Sequence, residues 1–304
     1  MKKYLYDLIF KEYHHRKLYM IGLSHILNIR QNYSNIKMLS DVDYKIFSQN
    51  GEDGILDYIL HQLNIEKPKF IEIGVGDYIE ANTRFIFERC SPQGAIIDCM
   101  EQLEQKVKKN IKLWKGELKI INRAIDSTNI SEVMKQTNCS SNLDIFSLDI
   151  DGVDYWILDK LPENFSKIAI LEYNPIFGNE LEVSIPNIQN FDRTKYHYSN
   201  LCFGMSLKAA IKIMNKKNFY FLGSNLLKNN AFFVSNKFKK EKFFKNLIIK
   251  GLEDSTNANF TESRDIEGNL NYLDLKKRIK EISECEVVDL SISKNKNVKL
   301  KSLL

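Results

Sequence analysis

Apolar residues recur along this chain in two alternating patterns. Short apolar-rich runs occupy Phe70 to Ile73, Gly94 to Ile97, Leu118 to Ile121, Ile145 to Ile150 and Ile168 to Leu171, interrupted by Glu72, Lys119, Ser147 and Asp149. Runs of this length between turn residues predict strands buried on both faces. Between them, apolar residues fall at three- and four-residue spacing, as at Ile55, Leu56, Ile59, Leu60 and Leu63. That spacing predicts helices, with further ones over Glu101 to Ile111, Ser131 to Lys135 and Ser206 to Met214. Strands alternating with helices predict an α/β chain built on a parallel sheet. Phe219 to Leu222 and Ala231 to Val234 predict two more strands, joined through Gly223-Ser224-Asn225. A Leu/Ile-patterned helix running to about Ile282 completes the predicted elements.

The first 43 residues predict a helical extension rather than part of this alternation. Their most apolar part, Leu18 to Ile29, is too short for a transmembrane span, which takes about 20 residues. No small-residue cleavage site follows it, so no signal peptide is expected. An added helix packed on the domain is the plainer reading; contact with a membrane surface or a partner is the other.

Composition narrows the class. At 304 residues and 43% hydrophobic, the chain can bury a large core. The net charge of +5 is modest for this length and does not call for nucleic acid. Five cysteines, widely spaced and without a C-x-x-C pair, support neither a disulfide framework nor a zinc site. A reducing cytoplasm is the expected compartment.

The stretch Lys69 to Thr83, KFIEIGVGDYIEANT, carries the first chemistry. A strand ends in Gly74-Val75-Gly76-Asp77, and a helix begins near Arg84. Paired glycines permit a sharp turn and a close ligand approach. A dinucleotide fingerprint would carry a third glycine where Ile79 stands, and the Gly-Lys-Ser/Thr ending of a phosphate loop is absent. Glu72, inside the strand, offers a carboxylate near the turn for an ammonium. Asp98, about 20 residues beyond the glycines, ends the second strand, where a carboxylate accepts hydrogen bonds from both ribose hydroxyls. That spacing suits NAD or S-adenosyl-L-methionine.

Two further strands end in acids. DIFSLDIDGVDYW places Asp149, Asp151 and Asp154 at one strand end, and LEYNP places Glu172 and Asn174 at the next. Asp154 is suited to capping the following helix. Carboxylates gathered at a sheet edge are costly to hold together without a cation or protons. Asp149, Asp151, Glu172 and Asn174 would suit Mg²⁺ or Mn²⁺. A metal-free site in which one carboxylate takes a substrate proton is chemically adequate too. Gln49 and Glu52 are candidates to border the same site. Residues 178–200 lose periodicity and predict a substrate loop, with His197 the one histidine placed near this chemistry. The stretch Lys237 to Lys250 interleaves lysines with phenylalanines, and 290–304 reads as a basic tail.

Taken together, FSQNGEDGI, FIEIGVGD, SLDIDGVDYW, LEYN and the later GSN…NAFFV resemble a bacterial group of class I S-adenosyl-L-methionine-dependent methyltransferases associated with surface polysaccharide assembly. The similarity runs from about Tyr44 to Asp289. It implies a Rossmann-like doubly wound sheet, mostly parallel with an antiparallel closing strand, spanning 44–289. It also implies that Glu72, Gly74, Gly76, Asp98, Ala124 and Asp149 hold the cofactor, with residues near Ala124 beside adenine. Asp149, Asp151, Glu172 and His197 would then carry the chemistry. Metal-dependent sugar O-methyltransferases place an Asp-Asp pair after the fifth strand; here that place reads Glu172-Tyr173-Asn174. The expected activity is O-methylation of a sugar or nucleotide-sugar used in capsule biosynthesis, in a chain that could form homo-oligomers. An NAD-dependent sugar-modifying enzyme and a non-catalytic assembly factor with this fold are the alternatives.

Overall fold

The computed structural model describes residues 2–241, 244, 247, 263–292 and 295–304. In chain order the elements that position the site begin with α1 (Lys2–Arg30), α2 (Glu52–Gln62), β1 (Lys69–Ile73), α3 (Arg84–Cys90), β2 (Gln93–Asp98) and α4 (Leu103–Asn110). There follow β3 (Glu117–Asn122), α5 (Ile130–Gln136), β4 (Ile145–Leu148), α6 (Asp154–Lys160), β5 (Ile168–Glu172) and β6 (Val183–Ser184). Then come α7 (Arg193–Tyr196), α8 (Leu207–Lys216), β7 (Phe219–Ser224), β8 (Asn230–Ser235), β9 (Glu286–Asp289) and β10 (Lys296–Lys299), with a helix over Leu275–Glu281 before β9.

Seven strands form one sheet in the order β3-β2-β1-β4-β5-β8-β7. The first five run parallel, and β8 is antiparallel to both β5 and β7. This is the expected Rossmann-like, doubly wound sheet with its antiparallel closing strand. Strand side chains alternate between faces. Ile71, Ile73, Phe146 and Leu148 therefore pack under α5, α6 and α8, while Phe70, Ile96, Ile145 and Ile168 pack under α2, α3 and α4. Burial on both faces is why these strands read as near-continuous apolar runs.

Helix α1 joins the domain through its inner face. Ile26 is buried with Phe47 and Phe85, and Tyr19 and Leu23 pack beside them. At its end Arg30 grips the buried carboxylate of Asp57 with Nε at 3.1 Å and Nη2 at 2.8 Å. Tyr33 donates its hydroxyl to the same carboxylate at 2.8 Å, and Arg89 pairs with it from α3.

Two expected segments differ. The stretch 290–304 is not a tail: Lys296–Lys299 is β10, paired antiparallel with β9, and Leu300 is buried. Its lysines face outward and mask the strand pattern. Residues 178–200 are not without structure, because Val183 and Ser184 pair with β9 to complete a second, three-stranded sheet. Of the lysine-rich stretch 237–250, residues 242, 243, 245, 246 and 248–250 lie outside the described residues.

Candidate active site

The carboxyl ends of β1, β2, β4 and β5 open into one cavity of about 710 Å³. This is where open α/β sheets place ligands, at the point where the strand order reverses. Gly74, Gly76, Asp98, Ala124, Asp149, Asp151 and Glu172 all line it.

The glycine turn is fixed from two sides. Gly74 has φ +87°, donates its amide to the Ile97 carbonyl at 2.9 Å, and leaves no room for a Cβ against the Asp149 carbonyl. Gly76 has φ +53°, but an added Cβ would meet only Met100 Cε, at 3.7 Å. The open side of Gly76 is the cavity. Asp98 ties the turn to β2, accepting the Gly76 amide through Oδ2 and the Met100 amide through Oδ1, each at 2.8 Å. A carboxylate oxygen carries more than one acceptor lone pair, so Asp98 keeps capacity for hydroxyls.

Glu72 does not reach this cavity. It is buried behind the turn and accepts the Asn82 amide at 2.8 Å, the Thr83 amide at 2.9 Å and the Thr83 hydroxyl at 2.5 Å. Its carboxylate is spent on the amides that open α3, and burial pushes its pKa up to about 7. The expected contact with a cofactor ammonium is corrected accordingly.

Asp149, Asp151 and Glu172 present carboxylate oxygens that all lie within 4.8 Å of one another. Burial raises the pKa of Asp149 and of Glu172, and the charge of neighbouring acids raises each further. The pair therefore holds protons to higher pH than isolated carboxyls do. Asp151 sits at φ +52°, in the left-handed region, and pairs with Arg193 at 2.5 Å. The Arg193 guanidinium lies over the Phe203 ring, 5.0 Å from its centre. Asp154 is buried beneath them, accepting the Ile150 amide at 3.2 Å and the Gly152 amide at 3.0 Å, which holds the loop carrying Asp149 and Asp151.

Two expected members fall elsewhere. Asn174 is fully buried; its Oδ1 accepts the Ile176 amide at 3.1 Å, and its Nδ2 donates to the Leu201 and Phe203 carbonyls at 2.8 and 3.1 Å. Its side chain anchors loops and does not join the carboxylates as a metal ligand. His197 stacks on Tyr198 with ring centres 4.4 Å apart, and its Nδ1 meets Ser199 Oγ at 2.7 Å. It lies beyond α7, outside the cavity lining, and burial lowers its pKa.

Residues 178–200 reach the cavity instead through Asn190, Phe191 and Arg193. Gln49 borders it as anticipated, joined by Asn50, Leu227 and Asn229. Glu52 does not; it is buried and holds Asn225 Nδ2 at 2.7 Å and Asn230 Nδ2 at 2.8 Å. Asn225, Asn229 and Asn230, close together in the sequence, were the signal for this wall. The lining carries seven carboxylates against two guanidiniums, Arg123 and Arg193, and no lysine. Its field is acidic although the chain as a whole is basic. For a divalent cation the donor set fits as three hard oxygens, from Asp149, Asp151 and Glu172.

No protein-family model matches the chain, and no curated protein matches it. Among solved structures the chain is similar to the pyocyanin biosynthetic protein PhzM at 12% identity and a TM-score of 0.34, over 58% of this chain and 52% of that one. The chain thus spans about half of that neighbour's length. A likeness of this size carries no argument, and the fold stands on the sheet order itself: a doubly wound α/β sheet whose carboxyl edge holds a glycine turn and an acid-lined cavity.

Proposed function

We propose that this chain is an S-adenosyl-L-methionine-dependent methyltransferase acting on a hydroxyl of a sugar-like acceptor. The observation that carries the reading is the Gly76–Asp98 hydrogen bond at the cavity edge. A bound pyrophosphate would call on that turn's amides, and here the Gly76 amide is already given to a carboxylate. Seven lining carboxylates oppose a pyrophosphate as well, which disfavours NAD. The same field favours a ligand bearing a sulfonium and an ammonium.

S-adenosyl-L-methionine would supply an electrophilic methyl group on sulfur. Gly74 and Gly76 leave space along the turn, Asp98 accepts the ribose hydroxyls, and Ala124 flanks the adenine. Asp149 and Glu172 lie on the β4–β5 side of the glycine turn, across β1 from Asp98, and would hold the acceptor hydroxyl there. A carboxylate of that pair would take the proton of the acceptor hydroxyl as its oxygen is methylated. Asp151, held by Arg193, orients the acceptor. If Mg²⁺ or Mn²⁺ participates, Asp149, Asp151 and Glu172 would hold it, and it would lower the pKa of the acceptor hydroxyl.

Asn50, Asn190, Asn229 and the Phe191 ring offer amides and an aromatic face to a polyhydroxylated acceptor. The acidic lining fits an uncharged sugar better than a nucleotide-sugar. Capsule or other surface-polysaccharide biosynthesis and a cytoplasmic location rest on the motif resemblance and on five free cysteines. The retained acids at one edge disfavour a purely non-catalytic assembly factor.

Calorimetric titration with S-adenosyl-L-methionine and with NAD, each with and without Mg²⁺ or Mn²⁺, tests the reading. Binding of the first and not the second is expected. Binding of NAD alone would replace this reading with the dehydrogenase-like one, and binding of neither would favour the assembly factor.

A further inference from the structure

The outer face of α1 is the largest concentration of exposed apolar side chains among the described residues. Tyr13, Leu18, Met20, Ile21 and Leu27 are each more than half exposed, with Met20 at 58% and Leu27 at 63%. Tyr13, Met20 and Leu27 recur every seven residues and so fall on one line along the helix. That line runs for about 21 Å at the helical rise. Lys17, Met20, Ile21, Ser24, His25 and Asn28 form a shallow groove beside it. The opposite face is already used, since Ile26 is buried and Tyr19 and Leu23 pack on the domain. A helix whose inner face is docked and whose outer face is still apolar has a second partner to meet.

The charge of that face says which. From Tyr13 to Arg30 the chain has no aspartate or glutamate. Arg16 and Lys17 are exposed beside the apolar line, and the Lys17 ammonium lies over the Tyr13 ring at 5.5 Å. Pairing this face, Tyr13 to Leu27, with its own copy would set Arg16 and Lys17 against the same cations, with no acid within 13–30 to answer them. An anionic lipid surface answers both features, taking the apolar side chains at its acyl boundary and the cations at its headgroups. No helix among the described residues is long and apolar enough to cross a membrane, which fits a helix lying on the surface. We infer that α1 docks the protein onto an anionic phospholipid surface through Tyr13, Met20 and Leu27, with Arg16 and Lys17 meeting the headgroups.

The test is flotation of the full chain with phosphatidylcholine vesicles made with or without phosphatidylglycerol. Flotation only with the anionic vesicles, and its loss in about 1 M salt, is expected. Replacing Met20 and Leu27 together by Glu, or Arg16 and Lys17 together by Glu, should lower the bound fraction at least about tenfold. Both pairs are solvent-facing, so the unfolding temperature should stay as in the parent chain and separate loss of docking from loss of folding. Equal flotation with pure phosphatidylcholine, or none with either vesicle, overturns the inference. So does a concentration-dependent dimer that the Met20→Glu, Leu27→Glu pair abolishes. Cofactor titration of the same variants reads the proposed activity separately, and neither outcome decides the other.

Discussion

A Cβ built on Gly74 would lie 1.5 Å from the carbonyl oxygen of Asp149, so β1 and the loop after β4 touch backbone to backbone at the head of the cavity. Gly74→Ala therefore meets both a positive φ and an immovable atom. It should destabilise the chain by at least about 3 kcal/mol. Gly76→Ala meets only the flexible end of Met100 and should cost about 1 kcal/mol in backbone conformation. Its methyl group would point where a ligand approaches, so cofactor affinity should fall while the fold survives. Unfolding temperature and calorimetry on the two variants check the contrast.

Asp98→Ala should weaken S-adenosyl-L-methionine binding most among the cavity acids. It removes the proposed ribose acceptor and releases the Gly76 and Met100 amides together. A loss of about tenfold to a hundredfold in affinity is expected from one charge-assisted acceptor. Unchanged calorimetric affinity would count against the proposed placement of the cofactor.

Stability should fall as pH rises toward neutrality. Burial raises Glu72 to about 7 and Asp53 and Asp154 to about 6. In the folded chain these groups hold protons that the unfolded chain has released, so folding takes up protons in this range. Their contribution is fully present below about pH 4, is lost as pH rises through 6 to 7, and is constant above that. Denaturant midpoints across this range check the sign, and Glu72→Gln should flatten its upper part.

Turnover should follow the opposite course, because Asp149 and Glu172, whose titration is raised, must be deprotonated before either can accept a proton. The rate should climb with pH through the raised titration of that pair. Glu172→Gln should lower turnover by about 10²- to 10⁴-fold, with little change in cofactor affinity. A pH–rate profile set beside cofactor titration separates the two effects.

Asp57→Ala should loosen the N-terminal extension. Its carboxylate is fully buried and serves Arg30, Tyr33 and Arg89 at once, so removal leaves charged partners unanswered at a cost of about 3–5 kcal/mol. Chemical denaturation together with limited proteolysis near residues 31–43 measures both the cost and its location.

The sheet was legible because β1, β2, β4 and β5 are buried on both faces and leave near-continuous apolar runs. Asp98 was legible from its spacing to the glycines, and Asp149, Asp151 and Glu172 from their places at strand ends. Glu72, Asn174 and His197 misled for one shared reason: their polar atoms are satisfied by partners that a strand-end pattern does not reveal. Asn174 is held by Leu201 and Phe203, and Glu72 by Asn82 and Thr83. Arg193 was passed over because its partner, Asp151, stands 42 positions away in the chain. Strand β10 was hidden by lysines on its exposed face, where a short edge strand has few apolar positions to show.

Glu52 reaches Asn225 and Asn230 across 173 and 178 positions of sequence. The cavity wall is thus stitched from two parts of the chain made far apart in time. At about 5–20 residues per second, the asparagines leave the ribosome roughly 8 to 30 s after the glycine turn. For roughly the last 3 to 12 s of that interval, while residues 173–230 are made, β5 has no antiparallel neighbour, and its bare edge is open to strands of other chains. The nascent protein has its glycine turn before it has its asparagine wall, and it becomes a complete container only when β8 arrives.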